Sequence, residues 1–255
     1  MLDPMRFLFS SIAFLSRIPI PAGWQLQGKT EQSSLLSVLW TGGIVLGLIN
    51  ALIAWALCQI IPPPLAIALF LPIQLILTGA FHEDGLADVA DAMGAYTRER
   101  RFEIMRDSRL GTFGTGALAT LLLIRWNGYI HLSSGATHGS LAAFLILSGG
   151  WMRWSSIVLL HFLPYVHIDG KGIARNMERP VMLTLWVGLV SLLMLTVFLV
   201  PVWTLPSLAA LATAILTCFL FFRRVFGGAN GDCLGACSIV TEILLLTAFC
   251  IIPQS

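Results

Sequence analysis

Three carboxylates set four and three residues apart stand out in the run Gly79-Ala80-Phe81-His82-Glu83-Asp84-Gly85-Leu86-Ala87-Asp88-Val89-Ala90-Asp91. On a helix, Asp84, Asp88 and Asp91 occupy i, i+4 and i+7 and share one face within an arc of about 60°. Like charges so arranged repel unless something positive sits among them. A solvated acidic face would interleave Lys for support, yet no Lys or Arg follows before Arg98. Hard oxygen donors of this kind suit Mg2+, which keeps several waters and completes its shell with phosphate oxygens. The plainer reading is a solvated acidic loop. The missing lysines, the small neighbouring residues and the position at the end of an apolar run count against it. His82 reads as a base, a phosphate partner or an interface residue.

Further along, Glu103-Ile104-Met105-Arg106-Asp107-Ser108-Arg109-Leu110-Gly111-Thr112-Phe113-Gly114 supplies complementary chemistry. Arg106 and Arg109, at i and i+3, present two guanidinium forks to a phosphate. The glycines open the next apolar segment, where free N–H groups at a helix start favour an anion. Arg98, Arg100 and Arg101 have a simpler reading as topogenic or lipid-headgroup charges. Near the C-terminus, Gly227-Gly228-Ala229-Asn230-Gly231-Asp232-Cys233-Leu234-Gly235-Ala236 is a small-residue turn that carries Asp232 into the last apolar segment. Glu242 then falls at membrane depth, where an ionisable group is costly and is a functional candidate. Arg125 and Arg153 are its expected partners, and a structural ion pair is an equal alternative.

The elements that must position these groups are membrane helices. The chain has 255 residues, 57% hydrophobic and only 11% charged, whereas a soluble domain carries about a quarter charged residues. A net charge of +2 gives no footprint for nucleic acid. A spanning helix needs roughly 20 apolar residues. Candidate spans are 35–61, 64–81, 112–132, 140–163, 181–201, 206–222 and 236–253, about seven, or six if a short one is re-entrant. The expected fold is an all-α polytopic bundle forming one integral membrane domain over 1–255, with a catalytic loop at about 82–111. Connections 62–63, 133–139 and 202–205 carry no Lys, Arg, Asp or Glu. The N-terminal stretch, 82–111, 164–180 and 223–235 hold Arg6, Arg17, Lys29, Arg98, Arg100, Arg101, Arg106, Arg109, Lys171, Arg175, Arg179, Arg223 and Arg224. By the positive-inside rule that side is cytoplasmic, the N-terminus with it, and the acids place the chemistry there. Cys58, Cys218 and Cys250 lie in apolar runs, and Cys233 with Cys237 is a poor zinc signature without nearby partners.

HEDGLADVADA, then EIMRDSRLGTFG, then GGANGDCLGA with a downstream Glu resembles the cobalamin synthase family, as does the opening FLSRIPIP. Members of that family are adenosylcobinamide-GDP ribazoletransferases. The resemblance covers nearly the whole chain. It implies that adenosylcobinamide-GDP is joined to α-ribazole, or its 5'-phosphate, with release of GMP, in the bacterial inner membrane and with Mg2+. It further implies Asp84, Asp88 and Asp91 as metal ligands with His82 adjacent. Arg106, Asp107, Ser108 and Arg109 become substrate-phosphate or metal-site residues, and Asp232 the C-terminal part of the site. Glu83 stands where an apolar residue is common, either adding a ligand or facing water; Ala92 and Asn230 replace a usual Gly and Thr. On this reading a ribose hydroxyl attacks the cobinamide-linked phosphorus, and Asp107 or His82 accepts its proton. Two rival readings are a membrane transferase acting on CDP-alcohols or polyprenyl diphosphates, and a small-solute transporter. The second sits poorly with outer connections that carry no charge.

Overall fold

The computed structural model describes residues 3–27, 35–134, 139–166 and 180–251. Lys29, Lys171, Arg175 and Arg179 lie outside them. Among the described residues the chain forms ten α-helices and no strand, with one isolated bridge between Tyr165 and Ala229. In chain order they are α1 (Pro4–Leu15), α2 (Leu39–Ile60), α3 (Pro63–Thr78), α4 (Phe81–Ala92), α5 (Arg98–Arg106), α6 (Thr112–Ser133), α7 (Gly139–Phe162), α8 (Met182–Leu199), α9 (Thr204–Val225) and α10 (Gly231–Ile251). The all-α expectation is met.

Proline and glycine punctuate the path. Helix α2 stops before Pro62, and α3 starts with Pro63 in its first turn, where the missing N–H costs nothing. Helix α3 closes with Gly79 at φ 69°, whose N–H donates to Ile76, while the Ala80 N–H donates to Leu75. This paired cap satisfies the orphan carbonyls and turns the chain. Ala80 is also left-handed, at φ 56°, a conformation that costs an L-residue roughly 1–2 kcal/mol. Arg17 secures the bend: its N–H donates to the Leu77 carbonyl at 2.8 Å. Its side chain lies so close that a Cβ on Gly79 would sit 2.7 Å from Nε. The N-terminal FLSRIPIP segment therefore has a packing role in addition to its charge.

Five stretches are long and apolar enough to cross a membrane: Leu35–Ile60, Gly139–Phe162, Met182–Leu199, Pro201–Val225 and Gly231–Ile251. A sixth arises if α3 and α4, which meet at 90°, count as one broken span. The seven-span expectation differs at two places. Segment 64–81 ends at Thr78 and bends. Helix α6 has 22 residues but carries Arg125 mid-length, and is not among the five. Helix α7 is the hub, with 94% of its apolar window buried, against 22% for α8, which turns Leu183, Trp186 and Phe198 outward. Helices α2 and α7 cross at Gly43, Gly47 and Gly149, where an added methyl would strike the opposing backbone carbonyls. Small residues at such a crossing let backbones approach closely in a membrane. Hydroxyl pairs Ser155–Thr241 (2.8 Å) and Ser156–Ser238 (2.7 Å) hold α10 in register on α7.

Candidate active site

The run 82–111, expected as one loop, contains α4, α5 and the approach to α6, and α4 stays helical through all three aspartates. A crossing with α10 then completes the acidic face. A Cβ on Gly85 would lie 2.8 Å from the Asp232 carbonyl oxygen, and one on Gly235 would lie 3.5 Å from the Gly85 Cα. Only glycine permits backbones this near. The consequence is that Asp232 joins Asp84 and Asp88: the Asp88 carboxylate feels the charges of Asp232, Asp84 and Asp91, and Asp232 feels that of Asp84. Asp84 is exposed, while Asp88 and Asp232 are half-buried. Asn230 fixes the C-terminal contributor. Its Oδ1 accepts from the Cys233 N–H at 2.9 Å, capping α10, and its Nδ2 donates to Asp232 Oδ2 at 3.0 Å.

Asp91 has a different partner. Both its oxygens accept backbone N–H groups at the start of α6, from Gly111 and Gly114, each at 2.7 Å. The anion expected at that glycine-rich helix start is thus the protein's own Asp91, which satisfies orphan donors and faces the positive end of the helix dipole. Asp84, Asp88 and Asp232 remain as the open carboxylates.

Helix α5 ends at Arg106, with Asp107 as its cap residue in extended conformation. The i, i+3 pairing expected of Arg106 and Arg109 therefore does not form, because no helical turn links them. Arg109 instead forks onto Asp107, donating from Nε to Oδ1 at 3.0 Å and from Nη2 to Oδ2 at 2.6 Å. These bonds hold the exposed Asp107 carboxyl well down, to about 2. Ser108 is exposed beside them. Arg109 is two residues from Gly111, so the chain keeps its Cα within about 7 Å of the loop that contacts Asp91. Arg101 donates from Nη1 to the Val225 carbonyl at 3.4 Å, and the Arg98 side chain packs on Gly227. Two of the arginines read as headgroup charges thus clasp the α9–α10 turn, while Arg100 pairs with Glu103 at 2.7 Å.

Helix α4 has a second, buried face. His82 and Glu83 point away from the open acids into the bundle, 5% and 6% exposed. Glu83 Oε1 accepts from Arg125 Nη1 at 2.6 Å, and Arg125 grips Glu242 in a fork of 2.9 and 2.6 Å. The Tyr129 hydroxyl donates to Glu242 Oε1 at 2.8 Å. Arg125 is the partner expected for Glu242; Arg153 donates instead to the Gly149 carbonyl at 3.1 Å. Glu83, counted with the metal ligands, is brought to this ion pair, because side chains adjacent along a helix diverge by about 100°. Glu83 and Tyr129 join Arg125 and Glu242 in one network, whose one local signal in the sequence is Tyr129 one turn beyond Arg125 on the same helix face.

Whether Mg2+ suits the open face is a question of donor chemistry. Among the described residues no group of three or more His, Cys, Asp or Glu side chains forms a ready-made metal cage. Mg2+ does not need one: it is ordinarily held through one or two carboxylates, with waters and substrate phosphate oxygens filling the rest. Asp84, Asp88 and Asp232, drawn together with no ion-pair partner among the described residues, match that pattern.

Comparison with known proteins agrees with the residue pattern. The family described as Cobalamin-5-phosphate synthase, CobS, matches residues 7–250. A protein of Ralstonia nicotianae named adenosylcobinamide-GDP ribazoletransferase is 34% identical over 256 residues, covering 96% of this chain and 94% of its own length. Like-named proteins of Vibrio cholerae serotype O1 and Shewanella frigidimarina are 34% and 31% identical, covering 94% and 95% of this chain and 92% and 93% of theirs. No solved structure matches the chain. With helices as its regular elements among the described residues and its three motifs gathered around one acidic crossing, this chain belongs to the cobalamin-5-phosphate synthase family.

Proposed function

We propose that this protein is a Mg2+-dependent adenosylcobinamide-GDP ribazoletransferase of the bacterial inner membrane. It joins adenosylcobinamide-GDP to α-ribazole, or α-ribazole 5'-phosphate, and releases GMP. The observation that carries the reading is the Gly85–Asp232 crossing, which sets the carboxylate of one motif against those of another. The names of the relatives supply the substrates. In this proposal the N-terminus and the active site are cytoplasmic, as the charge pattern argues.

Asp84, Asp88 and Asp232 would hold the metal, which when bound supplies charge neutralisation for the pyrophosphate. The protein's own tasks are then mostly positioning and electrostatic, as phosphoryl transfer demands. Arg109, with Arg106 and Ser108 close along the chain, is assigned to the substrate phosphates. Turning its full guanidinium fork onto them means that Arg109 leaves Asp107, which it holds through Nε and Nη2. Its departure removes the hydrogen bonds that hold that carboxyl near 2, so Asp107 becomes a better proton acceptor when substrate is present. Asp107 is therefore assigned to receive the proton of the attacking ribose hydroxyl. His82, on the buried face of α4, is the second candidate for that proton.

The test is direct. Purified protein in detergent, given adenosylcobinamide-GDP, α-ribazole and Mg2+, is expected to yield GMP and cobalamin, and no CMP from CDP-alcohols. Release of CMP, or failure to form cobalamin under any Mg2+ concentration, overturns the assignment.

A further inference from the structure

Behind the acidic face of α4 lies a second polar feature, a partly open hollow lined by α2, α3, α4, α6, α7 and α10. It is a cavity of about 30 Å3, against roughly 10–15 Å3 needed to hold one water. Among the described residues, six buried side-chain polar atoms lack a hydrogen-bond partner. Four of these line this one cavity: Asn50 Oδ1, Gln74 Oε1, Glu83 Oε2 and Arg153 Nε. Each of these residues is at least nine-tenths buried. A buried polar atom left unpaired is costly, so four such atoms around one hollow call for an occupant.

We propose that this cavity binds two ordered water molecules. The donor and acceptor count selects them. The four unpaired atoms are three acceptors and one donor. Two waters bonded to each other retain three donors and three acceptors, which serves Asn50, Gln74 and Glu83 and accepts from Arg153. A single water leaves one acceptor orphaned. A monovalent cation suits the three oxygens but leaves Arg153 Nε unpaired and adds charge beside the Arg125 and Arg153 guanidiniums. An anion meets Arg153 and repels the rest. Glu83 then has a partner at each oxygen: Oε1 accepts from Arg125, and Oε2 accepts from water. The buried face of α4 is then held by water as well as by Arg125, while its other face carries the open acids.

Hydroxyl-radical footprinting tests this without reference to transferase activity, because a synchrotron pulse generates radicals from bound water where it sits. Met152 lines the cavity and is 6% exposed; Met105 is 7% exposed and lies in a different apolar cluster. In the purified full-length protein, Met152 is expected to oxidise several-fold faster than Met105. Gln74→Leu, which removes one acceptor and fills space, should bring the Met152 rate down to that of Met105. Equal slow oxidation of both residues in the unaltered protein shows a dry cavity and overturns the proposal. The melting temperature is expected to be the same in sodium, potassium and choline buffers. A shift of several degrees among them assigns the cavity to a monovalent cation instead.

Discussion

The two faces of α4 handle the same kind of charge in opposite ways. On the buried face, Glu83 meets Arg125, which also holds Glu242, and Tyr129 completes the set. On the open face, the charges that bear on Asp88 among the described residues are those of other carboxylates, Asp232, Asp84 and Asp91. Acids of the first kind are compensated within the protein and so contribute to structure. Acids of the second kind are drawn together with no ion-pair partner among the described residues, and such an arrangement suits a bound ligand that supplies the opposite charge. Asp91, on the helix face of the open acids but hydrogen-bonded to the start of α6, belongs energetically with the first kind.

The largest effect should come from breaking the buried face. Arg125→Leu leaves Glu83 and Glu242 as unpaired charges in the bundle, and removing one partner of a buried ion pair costs about 3–5 kcal/mol. A fall in melting temperature large enough to impair folding in detergent is expected, with partial recovery in the double variant Arg125→Leu, Glu242→Leu. If Arg125→Leu melts like the unaltered protein, the buried face is not structural and the contrast between the faces collapses.

Next in size is Asp107→Asn. A positioned general base contributes about 100-fold or more, so turnover should fall by that order while the melting temperature stays constant, since exposed pairs add little stability. The sign of the pH effect follows from Arg109, which holds this carboxyl to about 2 in the free protein. Asp107 is ionised above that value, so kcat/KM should show no limb from it between pH 5 and 8, and any loss should appear only as pH falls further. A turnover unchanged by Asp107→Asn removes it as the proton acceptor.

Smallest is Asp91→Ala, which uncaps α6. Loss of a helix cap costs about 0.5–2 kcal/mol, so a modest drop in melting temperature is expected, with a smaller loss of turnover than at Asp84 or Asp88. Turnover lost with no change in stability would return Asp91 to the ligand set.

These contrasts also mark what the sequence could reveal. The spacing of Asp84, Asp88 and Asp91 was legible because helical periodicity is local, and α4 keeps that periodicity. The break after α3 was legible only as the end of an apolar run; its 90° turn depends on Gly79, Ala80 and the distant Arg17. The fate of Asp91 was not legible, since its donors come from Gly111 and Gly114 in another helix. Arg106 and Arg109 looked like a helical pair because nothing local announces that α5 ends at Arg106. Glu83 sits among acids in the sequence and among basic and polar groups in space, because one residue along a helix is a different face. The juxtaposition of Asp232 with Asp84 and Asp88 rests on a glycine crossing between segments far apart in the chain.

The central claim is that the open carboxylates form the metal-and-phosphate site. It is tested most directly by GMP release as a function of Mg2+ in Asp84→Asn, Asp88→Asn and Asp232→Asn. Turnover is expected to fall by roughly 10²–10³-fold, the size seen when a key electrostatic group is removed. The Mg2+ required for half-maximal activity should rise, and the melting temperature should hold or increase as like-charge repulsion is relieved. Near-normal turnover at unchanged Mg2+ dependence in all three variants would contradict the claim.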